Sequence, residues 1–120
     1  MAQKKHAKLR GLGLDVIDIA RFGRVSKSRA NLFLKNNFTA LELEYCFSYK
    51  DPRSHLAGIF AAKEAVFKSL NKTNILFSSI EILKSKKSGL EVRVNAKLQK
   101  NILVSISHTE KTAFAIAICQ

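Results

Sequence analysis

The chain has 120 residues, of which 47% are hydrophobic and 25% are charged, and its formal net charge is +12 at pH 7. This length suits a single domain with its own core, and no apolar run approaches the roughly 18 residues that a membrane-spanning helix needs. We expect a basic extension at 1–10 followed by one folded domain at 11–120. The positive charge predicts a polyanionic partner, either nucleic acid or an acidic protein together with an anionic small molecule.

The first ten residues, MAQKKHAKLR, carry positive charge, but no apolar segment of signal-peptide length follows them. This pattern predicts a cytoplasmic protein rather than a secreted one. Cys46 and Cys119 are the two cysteines, and neither has a second cysteine at metal-ligand spacing. We expect both to be free thiols, because disulfides are rare in proteins that are not exported.

The first predicted element is a short strand that begins at Gly11 and ends near Asp15. Gly11 and Gly13 alternate with leucines, which leaves one face of the strand nearly bare and open to close approach. Asp15 lies where the strand gives way to a helix predicted over 17–35, and Asp18 is placed to cap the N-terminus of that helix. Position alone leaves Asp15 with two interpretations, a ligand of a bound group or a charge exposed at the strand end.

Two more helices are predicted in the middle of the chain. Thr39 and Glu42 have the spacing of a capping box, which predicts a helix from 39 to about 48. Asp51 and Pro52 then mark a turn and the start of a long central helix that ends near Leu70.

Within this central helix, Glu64 and Lys68 are four residues apart and leave from the same face. A carboxylate and an ammonium so arranged suit a site that holds a divalent cation together with a polyphosphate. The alternative is an ordinary stabilising pair on a helix surface, which is the commoner origin of this spacing.

The remaining elements are predicted strands. Two strands over 79–83 and 90–94 are joined by a turn rich in lysine, and two more occupy 102–119 around a turn at 108–111. Because helices come first and hairpins later, we expect an α+β fold with a mainly antiparallel sheet. Ser107, His108 and Thr109 lie at the mouth of the last hairpin, where they could donate to phosphate oxygens or simply serve the turn.

Together, GLGLDVIDIAR at 11–21, FAAKEAVFK at 60–68 and SISHT at 105–109 resemble the holo-acyl-carrier-protein synthase family of 4′-phosphopantetheinyl transferases. The pattern of that family is an aspartate in a G-x-D stretch, then F-[AS]-x-K-E-A-x-x-K, then a terminal S-x-S-H strand. All three parts occur here in that order. The resemblance extends over nearly the whole chain after the basic extension.

The resemblance implies an α+β fold with one long central helix and shorter helices. It also implies an enzyme that uses Mg²⁺ to transfer 4′-phosphopantetheine from coenzyme A to a serine of an acidic acyl-carrier protein, for fatty acid biosynthesis. Relatives of this short type are usually homotrimers with their sites between subunits.

By position, the resemblance assigns the metal ion to Asp15 and Glu64 and makes Lys68 the third catalytic residue. The residues expected to contact coenzyme A are Lys63, Ser107, His108 and Thr109. Those expected to dock the carrier protein are Arg21 and Arg24.

The chain departs from the family pattern at three places, the first two of which concern the grip on the nucleotide phosphates. Relatives have an arginine immediately before the F-A-A-K-E-A run, where this chain has Ile59. The glycine-rich loop after the central helix reads SLNKTN at 69–74, and the later Gly-Lys-Pro turn reads SGL at 88–90. If the arginine contacts a phosphate in relatives, another cation such as Lys50, Arg53 or Lys63 must replace it here. Ile59 also falls on a largely apolar helical stripe, which favours a buried position.

Two rival functions stay open at this point. The charge alone favours a small basic nucleic-acid-binding protein, although no RRM, KH or zinc-finger signature is present. The departures from the family pattern leave room for a member that binds carrier or nucleotide without catalysis.

Overall fold

The computed structural model describes residues 8–71, 74–87 and 89–120 of the chain. Its α-helices are α1 (Leu32–Asn37), α2 (Ala40–Phe47) and α3 (Arg53–Leu70). Its strands are β1 (Gly11–Asp18), β2 (Ile80–Lys84), β3 (Leu90–Val94), β4 (Lys97–Leu98), β5 (Ile102–His108) and β6 (Thr112–Cys119). Short 3₁₀ turns lie at Ile19–Phe22, Val25–Lys27 and Phe77–Ser79.

The strands form two antiparallel sheets, and both contact the long helix. The first sheet has the order β1-β6-β5 and the second has the order β2-β3-β4. Helix α3 packs along the first sheet and also contacts β2 of the second. The expected α+β fold, with antiparallel strands and one long central helix, is therefore confirmed.

The face of the first sheet that meets α3 is made of small residues. Gly11 and Gly13 lie on this inner face of β1, and a Cβ atom on either would overlap a backbone carbonyl oxygen of α3, that of Ser69 or Ala65 respectively. The alanines of β6 occupy the same face and are fully buried or nearly so, namely Ala113, Ala115 and Ala117. This glycine seam, Gly11 and Gly13 against Ser69 and Ala65, brings the backbone of α3 directly onto β1, as the bare strand face predicted.

The opposite face of the first sheet is apolar and exposed. The strand register sets Leu14 opposite Ile116 and Val16 opposite Phe114, and these side chains are 39–58% exposed. Together with two further leucines they form the outer sheet face, whose members are Leu12, Leu14, Val16, Leu103, Phe114 and Ile116. Contiguous apolar surfaces of this kind are typical of interaction sites.

The segment after β1 differs from the sequence prediction. Strand β1 continues past Asp15 as far as Asp18, because Asp18 still pairs with Thr112 of β6. The chain then forms two 3₁₀ turns and the short helix α1, so the continuous helix predicted over 17–35 is wrong. The side chain of Asp18 makes no capping hydrogen bond. Pairing with β6 therefore outweighs the local helical pattern.

The other predicted elements are confirmed within a few residues. Thr39 and Glu42 form a complete capping box at the start of α2. Helix α3 begins after Pro52 and ends at Leu70, where Asn71 adopts a left-handed conformation with φ of 50°. Both cysteines are free and buried, as expected. Within the described ranges, no helix combines the length and the apolar character needed to cross a membrane.

Candidate active site

Asp15, Glu64 and Lys68 meet where β1 lies on α3. Asp15 follows the glycine seam on the inner face of β1, and its side chain is 17% exposed. The Nζ of Lys68 lies 3.3 Å from Oδ1 of Asp15 and donates a hydrogen bond of 2.9 Å to the carbonyl oxygen of Leu14. The seam produces this contact, because it brings the C-terminal half of α3 onto the strand.

Glu64 lies one helical turn before Lys68 and responds to the same charges. Burial raises the pKa of the Glu64 carboxyl above its usual value, and the Asp15 carboxylate raises it further, whereas Lys68 and Arg21 lower it. Coulombic effects weaken with distance, so the groups that shift this pKa lie near Glu64. The structure thus gathers the three predicted catalytic residues and sets Arg21 beside them.

Asp15 and Glu64 are the residues that could hold a divalent cation. In the part of the chain that the structure describes, no cluster of three or more His, Cys, Asp or Glu forms a larger ligand set. A pair of carboxylates fits Mg²⁺, which commonly takes one or two protein carboxylates and completes its shell with water and substrate phosphates. The repulsion between the two carboxylates, offset by Lys68, also favours a bound cation.

The three residues predicted to contact coenzyme A at the end of β5 are divided between the faces of the first sheet. Ser107 is exposed on the outer face, opposite Phe114, and so lies on the other side of the sheet from Asp15. His108 has the register of the inner face. Thr109 begins the turn, where its Oγ1 accepts hydrogen bonds from the backbone N–H groups of Lys111 and Thr112 at 3.3 and 3.1 Å. His108 and Thr109 therefore remain candidates on the inner side.

Two cavities meet at His108. One of about 390 Å³ lies between α3, the β2–β3 hairpin and β5, and its polar lining includes Tyr45, His55, Lys84 and His108. The other, of about 670 Å³, is bordered by the end of β1, the start of α3 and the last hairpin turn, including Arg53 and Lys111. Both volumes are typical of small-molecule sites.

Sequence reasoning missed the aromatic wall of the smaller cavity. The His55 ring stacks on Tyr49 with 3.6 Å between ring centroids, and Tyr45 meets His55 edge-on. Burial lowers the pKa of His55, and the positive charges of His108 and Lys84 act in the same direction. No spacing rule signals this cluster, because it forms only when α2 packs beside the start of α3.

The structure contradicts the expected contact of Lys63 with coenzyme A. The Lys63 side chain is 0% exposed, and its Nζ lies 2.7 Å from Oε1 of Glu42, which is equally buried. A phosphate group cannot reach an ammonium enclosed in this way. Ile59 is also buried, at 3% exposure, so the apolar interpretation of that position is confirmed.

The two arginines predicted to dock the carrier lie on turns rather than on a first helix. Arg21 belongs to the 3₁₀ turn Ile19–Phe22, and Arg24 lies just before the turn Val25–Lys27. Both side chains are exposed. Their charges therefore face solvent close to the end of β1, and Arg21 is near enough to Glu64 to influence its carboxyl.

Comparison with known proteins agrees with this geometry. A family model described as the 4′-phosphopantetheinyl transferase superfamily matches residues 11–119. Among curated proteins, holo-[acyl-carrier-protein] synthase of Caldicellulosiruptor bescii is 38% identical over 118 residues, covering 91% of this chain and 96% of the relative. The enzyme of the same name from Chlorobaculum parvum is 36% identical over 113 residues, covering 91% and 97%.

Solved structures give the same result. A holo-[acyl-carrier-protein] synthase of Helicobacter pylori in complex with coenzyme A matches with a TM-score of 0.72 at 30% identity, covering 91% of this chain and 99% of that one. A holo-(acyl-carrier-protein) synthase of Bacillus anthracis matches with a TM-score of 0.76, covering 94% and 97%. At 23% identity, the second match supports the fold alone.

Proposed function

The chain belongs to the holo-acyl-carrier-protein synthase family of 4′-phosphopantetheinyl transferases, and on that premise we propose that it transfers 4′-phosphopantetheine from coenzyme A to a serine of apo-acyl-carrier protein. The products are holo-acyl-carrier protein and adenosine 3′,5′-bisphosphate, and the setting is fatty acid biosynthesis in the cytoplasm. The observation that carries the proposal is the meeting of Asp15, Glu64 and Lys68 at the glycine seam.

The roles of these side chains follow from their chemistry. Asp15 and Glu64 would hold Mg²⁺, which when bound offsets negative charge on the diphosphate as it is cleaved. Lys68 places an ammonium 3.3 Å from Asp15, where it stabilises the departing bisphosphate. Glu64, directly or through a metal-bound water, would accept the proton of the attacking serine. That serine belongs to the carrier, so the chain needs no nucleophile of its own.

Coenzyme A is proposed to lie along the inner side of the first sheet, past His108 and Thr109. Both cavities border His108, and the basic side chains around them suit the phosphates of the nucleotide: Arg53, Lys84 and Lys111. Arg53 is the candidate for the cation that replaces the family arginine at position 59. The net charge of +12 fits an anionic nucleotide and an acidic carrier, so it no longer singles out nucleic acid.

The direct test is mass spectrometry of apo-acyl-carrier protein incubated with the enzyme, coenzyme A and Mg²⁺. The wild-type protein should add the mass of phosphopantetheine to the carrier. Asp15→Ala and Glu64→Ala should each lower the rate roughly 100-fold or more without unfolding the protein. Glu91→Ala, which removes an exposed carboxylate from β3, is the matched control. Wild-type turnover by either site variant would remove the metal-site hypothesis.

Docking of the carrier is proposed to use Arg21 and Arg24. Charge reversal by Arg21→Glu should raise the Michaelis constant for the carrier roughly tenfold, and added salt should shrink the difference, since exposed interface charges mainly tune encounter. The constant for coenzyme A should change far less. Lys97→Glu on β4 is the control for the same change of net charge. Equal losses for both substrates would exclude Arg21 as a docking residue.

A homotrimer is proposed as the working assembly. The outer sheet face supplies an apolar surface for subunit contact, in keeping with the family resemblance. Sedimentation should give a trimer for the wild-type chain and for Leu76→Lys, which changes an exposed leucine away from this face. Ile116→Lys, at the centre of the face, should give monomers that have lost transfer activity. A trimeric Ile116→Lys variant would move the interface elsewhere.

A further inference from the structure

Glu42 and Lys63 form a charged pair that is completely buried. Each side chain is 0% exposed, and Lys63 Nζ lies 2.7 Å from Glu42 Oε1. The Lys63 ammonium also lies between two aromatic rings, 5.7 Å from the centre of Phe38 and 5.4 Å from that of Phe77. Such a site favours a cation that stays in one place, since both its partner and its aromatic neighbours are fixed.

The Glu42 carboxylate joins three elements of the fold. Its Oε1 accepts hydrogen bonds from the Thr39 backbone N–H at 2.8 Å and from Lys63 of α3 at 2.7 Å. Its Oε2 accepts a hydrogen bond of 2.7 Å from the Ile82 backbone N–H of β2. The start of α2, the middle of α3 and the second sheet are therefore tied to a single side chain.

Stability alone does not explain a pair of this kind. Desolvation of two charges offsets most of their attraction, and apolar residues of similar volume often stabilise a core as well or better. What the pair supplies is a directional contact. Lys63 immediately precedes Glu64, and successive helical residues point about 100° apart. An anchor on Lys63 therefore fixes the direction in which Glu64 leaves α3.

The metal site needs such an anchor. Glu64 leaves α3 one turn before Lys68, whose Nζ lies 3.3 Å from Asp15, so two carboxylates share this end of the seam and repel each other when no cation is bound. The glycine seam limits how closely α3 approaches β1, and the buried side chains of α3 oppose rotation of the helix by packing alone, without a directional bond. The ion pair acts on the other side of α3, where it resists that rotation.

We propose that Glu42 and Lys63 are positioning residues, whose ion pair fixes the rotation of α3 about its axis and so holds Glu64 in place beside Asp15. This inference rests on the proposed metal-dependent transfer, and it adds two residues that touch neither substrate nor metal. Partners that orient metal ligands in this way typically contribute 10–100-fold to metal affinity or activity.

The test uses the double variant Glu42→Gln/Lys63→Met in the full chain, which removes both charges and keeps both volumes. Binding of Mn²⁺ alone is followed by electron paramagnetic resonance, and transfer is measured against Mg²⁺, coenzyme A and carrier. The dissociation constant for Mn²⁺ and the half-saturating Mg²⁺ concentration should both rise roughly tenfold. The Michaelis constant for the carrier should stay within about twofold, because docking uses exposed side chains. Arg93→Met, an exposed charge-to-methionine change on β3, is the control.

The outcomes separate this inference from the proposed function. A double variant that folds and keeps wild-type constants for both metals would show that the pair only supports the core. Equal shifts in all three constants would mean general loosening and would likewise overturn positioning. Should the double variant not fold, Glu42→Asp, which keeps the negative charge and shortens the carboxylate side chain, is measured in the same way. A wild-type chain without transfer activity would reject the proposed function, and one that binds no Mn²⁺ would reject the metal site with it.

Discussion

The two sides of α3 are held by opposite means. Toward the first sheet the contact depends on absent side chains, since the glycine seam sets backbone against backbone. Toward α2 and β2 it depends on a charged pair that is wholly enclosed and whose carboxylate accepts three hydrogen bonds. The glycine seam sets the distance between α3 and β1, and the ion pair sets the rotation of α3 about its axis. A helix that must present Glu64 and Lys68 to Asp15 needs both.

The side held by the ion pair should show the largest effect on stability. Lys63→Met leaves the Glu42 carboxylate buried without a cation, and removing one member of a buried pair typically costs about 3–5 kcal/mol. Denaturant unfolding of the metal-free protein should reveal a loss of about 4 kcal/mol. Arg93→Met, which removes a half-exposed cation 3.6 and 3.9 Å from the carboxylates of Glu91 and Glu81, should lose less than about 1 kcal/mol. If Lys63→Met and Arg93→Met lost similar unfolding free energy, the buried pair would contribute no more to stability than an ion pair near the surface.

The second-largest loss of stability is expected from a substitution in the glycine seam. In Gly13→Ala the new methyl group meets the carbonyl oxygen of Ala65, which belongs to the helix backbone and cannot turn away. The strand and helix must separate, at a cost of about 3 kcal/mol, the upper end for overpacking. Transfer should fall as well, because the same movement separates Asp15 from Glu64.

Gly89→Ala is the matched control for the seam. Gly89 has a left-handed φ of 61°, and a Cβ there meets nothing within 4 Å, so only a conformational cost of about 1 kcal/mol is expected. If Gly13→Ala lost no more stability than this control, the seam would not be under steric constraint.

The two sides also differ in how far the sequence predicts them. The alternating glycines of β1 predict a close approach of another backbone because they have no side chains. The capping box at Thr39 and the start of α3 after Pro52 follow from local sequence rules. The fold class could be predicted from the order of helical and strand patterns along the chain, and the grouping of Asp15 with Glu64 and Lys68 could be predicted only from the resemblance of three segments to a known family. The second role of Glu42 could not, since Lys63 and the Ile82 backbone N–H reach it only through tertiary packing.

The errors have the same origin. Residues 17–35 have a helical pattern, yet β6 supplies pairing partners that keep the backbone extended to Asp18. Lys63 was expected to reach coenzyme A because it is close in sequence to Ile59, where relatives have an arginine, and lies on the central helix. Adjacent residues on a helix point in different directions, and only the packed structure shows which of them faces the core.

Glu64 lies on α3 between the glycine seam and the ion pair. The smallest expected effect on stability comes from the charge of its carboxylate. Its pKa is raised, first by burial and then by Asp15, so the folded protein binds the proton of Glu64 more tightly than the unfolded chain does. By linkage, the stabilisation from protonated Glu64 is present at low pH and is lost as the pH rises through the pKa of the folded state. Ionised Glu64 therefore destabilises the folded, metal-free protein at neutral pH.

Glu64→Gln removes this destabilising negative charge and keeps the shape of the side chain. In the presence of a chelator it should be more stable than wild type by about 0.5 kcal/mol at neutral pH, a figure kept small because Glu64 is partly exposed and its charge is screened. The gain should vanish below about pH 4, where the glutamate is protonated. Added Mg²⁺ should reverse the order, because it stabilises only a chain that binds it. Glu44→Gln on α2 calibrates the loss of one negative charge. If Glu64→Gln were still more stable than wild type at low pH, or no more stable at neutral pH, Asp15 and Glu64 would not repel each other in the folded protein. The Glu42–Lys63 ion pair would then oppose no such repulsion.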